Sequence, residues 1–201
     1  MAETDAETHI AEEDRLRADW YALLARMLRE PADEATLRLV AGLRGDDSEL
    51  GGAVRALASA ARGADPGAVT EEYFNLFIGV GQGELLPYAS YYLTGFLNEK
   101  PLARLRGDMA ALGIARRERV KEPEDHIASL CEMMAGMIMG AFGAPLDLAR
   151  QQEFFARHIG CWAPRFFEDL EAAPSAALYM PVGTIGRLFM AIESQAFEMA
   201  A

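Results

Sequence analysis

One stretch constrains the fold of this chain more than any other. From Glu122 the sequence reads Glu-Pro-Glu-Asp-His, then runs from Ile127 to Met139 with Gly136 as its first breaker. Ile127, Leu130, Cys131, Met134, Met137 and Ile138 recur at helical spacing, which predicts a helix buried along one stripe. Pro123 suits the first helical position, where its missing N–H has no partner to lose. Glu122, Glu124 and Asp125 crowd the turn in which unpaired amides and the helix dipole favour negative charge. The chain before this helix makes one half of a bundle and the chain after it makes the other. The polar cluster at its mouth is the densest group of ionisable side chains beside an apolar stripe. It is the first candidate for a site.

A chain of 201 residues is long enough to core a single domain. With 51% apolar and 25% charged residues it reads as globular rather than disordered or membrane-embedded. The longest apolar run, Met133 to Phe142, is about half of the roughly 20 residues needed to span a bilayer, so no stable membrane insertion is expected. Met1 to Asp14 is acidic and polar, unlike a signal or transit peptide, and residues 1–12 read as a flexible tail. A net charge of −12 argues against nucleic acid, whose binding rests on Lys and Arg neutralising phosphates. Cys131 and Cys161 sit in apolar helical patterns and read as free buried thiols of a reducing cytoplasm.

Nearly every other segment is also helical. Leu16, Trp20, Leu23, Leu24, Met27 and Leu28 form a stripe that ends at Pro31, and Asp33 caps a short helix running to Leu43. Further helices are expected over 49–62, 68–78, 88–97, 101–112 and 147–158, the last interrupted by Gly160 and Pro164 and resuming to Glu171. Residues 175–199 close the chain, with a kink at Pro181. Residues 113–122, carrying Arg116, Arg117, Arg119 and Lys121, form a basic hinge between the two halves. No alternating β-branched run is long enough for a sheet. The expected architecture is all-α, a single-domain bundle of about ten helices. A monomer is the simpler expectation, with exchange of halves between protomers through the hinge as the alternative.

The candidate motifs divide the possible functions unevenly. Gly79, Gly81 and Gly83 invite a phosphate-loop reading, but no strand precedes them and no Gly-Lys-Ser/Thr comes after them. Their other reading is a loop whose glycines take positive φ or admit a neighbouring backbone. Flanked by Phe77 on one side and Pro87-Tyr88 on the other, that loop makes a rim for a binding groove. No Cys-x-x-Cys, His-x-x-x-His or Glu-x-x-His calls for a metal, and nothing calls for a cofactor. His9, His126 and His158 announce no catalytic triad. Asp125-His126 reads in two ways. Asp125 accepts from first-turn amides as a helix cap, or an acceptor-rich mouth above Met133 and Met137 holds a peptide with a basic head and an apolar body.

Several blocks in order resemble the TorD/DmsD/NarJ family. Glu72-Tyr73-Phe74-Asn75-Leu76-Phe77-Ile78-Gly79 followed by Pro87-Tyr88-Ala89-Ser90-Tyr91-Tyr92 is similar to its first signature, and Glu122-Pro123-Glu124-Asp125-His126 to its Glu-Pro-x-Asp-His hinge motif. Phe154, His158, Trp162 and Phe166, with Tyr179 beyond, resemble its C-terminal helices, and Arg17 to Ala25 its opening helix. The likeness covers about residues 12 to 198. Val80 stands where members often have Pro, and Ala89 where they often have Glu, so a carboxylate able to meet a basic ligand is missing there. The resemblance implies a non-enzymatic cytoplasmic chaperone with a TorD-like fold. Its partner is the catalytic subunit of a molybdenum-containing oxidoreductase, bound through an N-terminal twin-arginine signal peptide until the cofactor is inserted. Cys131-Glu132 after the hinge block looks most like members serving formate dehydrogenases. On this reading Asp125, with Glu122 and Glu124, meets the arginines, and His126 and Pro123 shape the hinge. Leu76, Phe77, Tyr88 and Tyr91 line the apolar contact, rimmed by Gly79 and Pro87. The alternatives are a NarJ-like factor for a non-exported molybdoenzyme and, in another class, a nucleotide switch or enzyme closing the Gly79–Gly83 loop on a small molecule.

Overall fold

Capped helices, one after another, build this protein. The computed structural model describes residues 10–116 and 122–200. Ten α-helices occur among them: α1 (Glu12–Arg29), α2 (Glu34–Ala41), α3 (Glu49–Arg62), α4 (Pro66–Tyr73), α5 (Ala89–Thr94), α6 (Lys100–Ala111), α7 (Ile127–Met139), α8 (Leu148–His158), α9 (Ala163–Glu171) and α10 (Tyr179–Ala200). A π-turn, Phe74–Ile78, extends α4. The expected all-α bundle of about ten helices is the architecture observed. Residues 1–9 of the predicted tail, and 117–121 of the predicted hinge with Arg117, Arg119 and Lys121, lie outside the described residues. No helix among the described residues is long and apolar enough to cross a membrane.

Local chemistry explains most helix starts. Asp33, Ser48, Asp65 and Asp147 each take extended backbone and accept from the amide three residues on, satisfying one orphan donor of the first turn. Three starts differ from the sequence expectation. α7 begins at Ile127, not at Pro123, because an isolated antiparallel bridge between Tyr88 and His126 holds His126 extended. His126 is then the cap, its ring Nδ1 accepting from the Ala128 amide at 3.1 Å. Pro164 does not interrupt a helix but stands in the first turn of α9. Pro181 likewise sits in the first turn of α10, where no intrahelical donor is lost, and so calls for no kink. That helix starts at Tyr179 because Glu72 of α4 caps it from across the chain. Its carboxylate accepts from the amides of Ala177 (2.7 Å), Leu178 (3.1 Å) and Tyr179 (2.8 Å).

α1 lies against α7, and α10 against α9 and α3, around one core that includes Tyr21, Phe166, Phe167, Tyr179 and Phe189. Glycine sets the closeness of the α9–α10 contact. A Cβ on Gly183 would stand 2.5 Å from the Glu171 nitrogen, and one on Gly186 2.1 Å from the Phe167 ring. At the end of this core a charge is buried. Glu193 has no exposed surface and receives Arg17 Nε at 2.8 Å, Arg17 Nη2 at 2.9 Å and the Tyr21 hydroxyl at 2.9 Å. Burial, then the Glu193 charge, push the Tyr21 phenol well up, so it remains a donor.

Two buried groups make contributions to stability that can be measured. Removing one partner of a buried ion pair leaves the other charge stranded, so Arg17→Met should lower unfolding free energy by about 3–5 kcal/mol in urea titration. The double variant Arg17→Met/Glu193→Met should recover part of that loss; no recovery would mean that packing, not charge, sets the effect. The second group is His126, which burial, helped by the Arg29 charge, holds down to about 3 from its ordinary 6.5. Between those values the unfolded chain binds the proton and the folded chain does not. Stability is therefore full above pH 6.5 and falls toward pH 3, by up to about 1.4 kcal/mol per unit. His158, also held down by burial, adds a slope of the same sign. Asn keeps a capping acceptor, so His126→Asn should retain the fold and flatten the slope between pH 6.5 and 5.5; an unchanged slope would assign it elsewhere.

Candidate functional site

The Glu-Pro-Glu-Asp-His segment is a clasp between two parts of the chain rather than an open acidic mouth. The Pro87 carbonyl accepts from the Ile127 amide at 2.9 Å, and the Asp125 carbonyl from the Ala89 amide at 3.0 Å. Asp125 is 1% exposed, and its Oδ2 accepts from the Ser90 amide at 2.8 Å, capping α5 from outside. The two capping roles are thus exchanged relative to a simple reading: His126 caps its own helix and Asp125 caps another. Glu124 is also buried, receiving Arg106 at 2.8 Å with Arg116 at 3.5 Å. Burial opposes ionisation of Glu124, but the Arg106 hydrogen bond and the two guanidinium charges outweigh it and hold the carboxyl below its usual range. Glu122 alone of the three acids is exposed; it accepts from the Tyr88 hydroxyl. Burial, then that contact, push the Tyr88 phenol up, and its ring meets His126 edge-on with centroids 5.1 Å apart.

In front of the clasp lies a cleft of about 590 Å³. One wall is a single face of α1, Ala22, Ala25, Arg26 and Arg29; the facing wall is one face of α7, Ser129, Glu132, Met133 and Gly136. Glu122, Glu124 and the segment from Ile114 to Arg116 close a third side, with Met109 and Phe142 adding apolar surface. Glu30, Asp33, Glu122, Glu124 and Glu132 line it against Arg26, Arg29 and Arg116, an excess of carboxylate. Arg29 is committed to Glu132 at 2.7 Å and reaches the Ser129 hydroxyl at 3.3 Å. Glu30 has no ion-pair partner among the described residues. The α1 wall is absent from the sequence reading, although small Ala22 and Ala25 beside Arg26 and Arg29 mark a face that no bulky side chain fills.

The remaining predicted site residues fall into three places. Pro87 and Tyr88 join the clasp with Glu122, Asp125 and His126, with Pro123 lying between. Leu76 is fully buried in the core, and Phe77, half-buried, packs edge-on against Tyr73 and Tyr179 at its edge. Tyr91 is half-buried on α5 beside Tyr92. Met133 lines the cleft, whereas Met137 is in the core. The glycine loop is closed on itself. Gly79 (φ +62°) donates to the Phe74 carbonyl at 2.7 Å, and a Cβ there would stand 2.0 Å from the Gln82 carbonyl oxygen. Leu85 donates to Leu76 at 2.8 Å, folding the loop back onto the π-turn. Gly79 and Gly83 thus serve the turn's own geometry.

Comparison with known proteins agrees with this architecture. A solved structure of a proposed redox enzyme maturation protein from Archaeoglobus fulgidus superposes over 94% of this chain and 99% of that one, with a TM-score of 0.57 at 18% identity, which shows a shared fold. The chaperone protein TorD of Vibrio cholerae serotype O1 is 30% identical over 126 residues, 59% of this chain and 57% of that protein. TorD of Vibrio parahaemolyticus is 27% identical over 131 residues, covering 61% of each. The match thus spans less than two thirds of these relatives' length. A family model described as nitrate reductase delta subunit matches residues 43–168, a stretch running from just after α2 into α9 and including the whole clasp. By that match over most of its length, the chain belongs to the nitrate reductase delta subunit family, the TorD/DmsD/NarJ group of redox enzyme maturation chaperones.

Proposed function

We propose that the protein is a cytoplasmic chaperone for a molybdenum-containing oxidoreductase subunit, and that it holds that subunit's N-terminal twin-arginine signal peptide in the cleft between α1 and α7. The observation that carries this reading is the pairing of a carboxylate-rich rim with an apolar floor in one cleft of about 590 Å³. Guanidinium groups of the peptide meet Glu30 and Glu122, which are in no ion pair among the described residues, whereas Asp33 is taken as the cap of α2. The peptide's apolar stretch lies along Met109, Met133 and Phe142. Asp125, 1% exposed, supports the site from behind through Ser90 rather than by touching the peptide. His126 and Pro123 shape the same support. Formate dehydrogenase is the first client class to try, on the form of the hinge block.

A second reading has one observation behind it. The matching family model is described by a nitrate reductase subunit, which favours assembly of a non-exported enzyme through a peptide without paired arginines.

Calorimetric titration with a twin-arginine signal peptide from a formate dehydrogenase, and with an Arg-to-Gln control, tests both. The expected result is low-micromolar or tighter binding, weakened in the control. Glu30→Gln/Glu122→Gln should cost about 1.5–3 kcal/mol, the scale of a hydrogen bond to a charged group. Asp125→Ala should instead lower the melting temperature through the lost α5 cap. Equal affinity for both peptides would favour the non-exported client, and silence with every peptide from a folded protein would overturn the chaperone reading.

A further inference from the structure

A second depression, about 150 Å³ in volume, lies between α5, α6, α7 and α8 and shares no lining residue with the cleft. Its walls are apolar: Ala89 and Leu93 of α5, Pro101 and Leu105 of α6, Leu130 of α7. Its polar lining is sparse but unusual. Asp125 lines it, and the Oδ1 of that nearly sealed carboxylate accepts no hydrogen bond, while Oδ2 is engaged by Ser90. An acceptor left unmade in such a place is destabilising until a donor arrives. His158 also lines the depression, with its Nε2 held by Asp108 at 2.6 Å.

Two guanidinium groups stand at the rim, one of them already neutralised. In a chain of net charge −12, Arg104 and Arg157 border this depression. Arg157 is shared between Asp108 at 3.3 Å and Glu153 at 3.2 Å, whereas Arg104 is exposed and has no ion pair among the described residues. Beside the rim the chain displays apolar side chains outward. Leu93 is 43% exposed, Phe96 70% and Leu97 42%. Gly95 (φ +80°) and Asn98 (φ +60°), both left-handed, bracket Phe96 and Leu97. A left-handed non-glycine residue is uncommon, although Asn tolerates it best. The Thr94 hydroxyl, accepting from the Phe96 amide at 3.3 Å, fixes the same turn.

Size, donor demand and charge select the occupant. A cavity of about 150 Å³ holds one benzene-sized ring. The unmet acceptor asks for a ring with a donor at its tip, which at this size means tyrosine rather than the larger tryptophan. Arg104, in no ion pair among the described residues, asks for a carboxylate beside that ring. We infer that this depression is a docking site for a partner polypeptide that inserts a single tyrosine from an acidic, apolar segment, its hydroxyl meeting Asp125 Oδ1 and a flanking carboxylate meeting Arg104. Phe96 and Leu97 extend the contact with apolar surface around the anchor. Aromatic anchors in desolvated pockets, ringed by weaker contacts, are the usual source of interface affinity.

Fluorescence anisotropy of a labelled peptide with glutamates flanking a Tyr-Leu pair tests this on the full chain. The site binds that peptide, the phenylalanine version binds at least about tenfold more weakly for want of the donor, and Arg104→Glu and Leu93→Glu each abolish binding. Both substitutions lie at exposed positions, and an unchanged circular dichroism melt separates lost docking from lost folding. Glu30→Gln/Glu122→Gln binds as the parent does, which keeps this site distinct from the signal-peptide cleft. Absence of binding, equal affinity for the tyrosine and phenylalanine peptides, or dependence on Glu30 and Glu122 rather than Leu93 would overturn the proposal.

Discussion

A carboxylate taken out of water must be met by donors, and this protein uses that demand to tie together segments far apart in sequence. Glu193 of α10 draws Arg17 and Tyr21 of α1 to it. Glu72 of α4 gathers three amides at the head of α10. Asp125 draws in Ser90, and Glu124 draws in Arg106. In each case the loss of one partner leaves a buried charge or a row of unpaired amides, a larger cost than the net gain of an ordinary hydrogen bond. Apolar burial supplies the driving force for the bundle. The carboxylates choose which helix ends meet.

The acidity of the chain must therefore be divided before it is read as a signal for a basic partner. Glu72, Glu124, Asp125 and Glu193 are spent on the fold. What remains for a ligand at the clasp is Glu122, held by the Tyr88 hydroxyl, with Glu30 across the cleft. A hydroxyl donor to one carboxylate oxygen leaves further lone pairs for an incoming guanidinium. The clasp thus positions one outward acid with three inward contacts, so residues of this motif can affect binding without touching a ligand.

The range of each interaction decides how much of this is legible in the sequence. Asp33 and Asp147 announce their helices because a cap acts within three residues. Apolar periodicity likewise places α1, α3 and α7. Pro123, Pro164 and Pro181 mislead for one reason: proline constrains a helix start, but the residues before it decide where the start falls. At α7 the decision comes from Tyr88, and at α10 from Glu72, partners that no local pattern reveals. The same applies to the site. Glu122 and Met133 can be named from one local stretch of sequence, but the opposite wall, Arg26 and Arg29, lies in the first helix of the chain. Leu76 and Phe77 carry an aromatic and apolar signal that a core and a groove share equally; burial assigns Leu76 to the core and leaves Phe77 half-buried against it.

Helix α7 is common to both proposed recognition surfaces, and this limits how they can be separated. Ser129, Glu132, Met133 and Gly136 face the carboxylate-rich cleft, while Leu130 faces the depression with the guanidinium rim. Asp125, just before the helix, supports the first through the clasp and lines the second. A substitution in α7 or at Asp125 must alter packing on both sides, because the helix is buried around nearly its whole circumference. Only the outer walls are independent: Glu30 at the end of α1 for the cleft, Leu93 and Arg104 on α5 and α6 for the depression. Salt is a further distinction, since raised salt weakens exposed charge pairs on both but leaves the aromatic and donor contacts of the second largely intact.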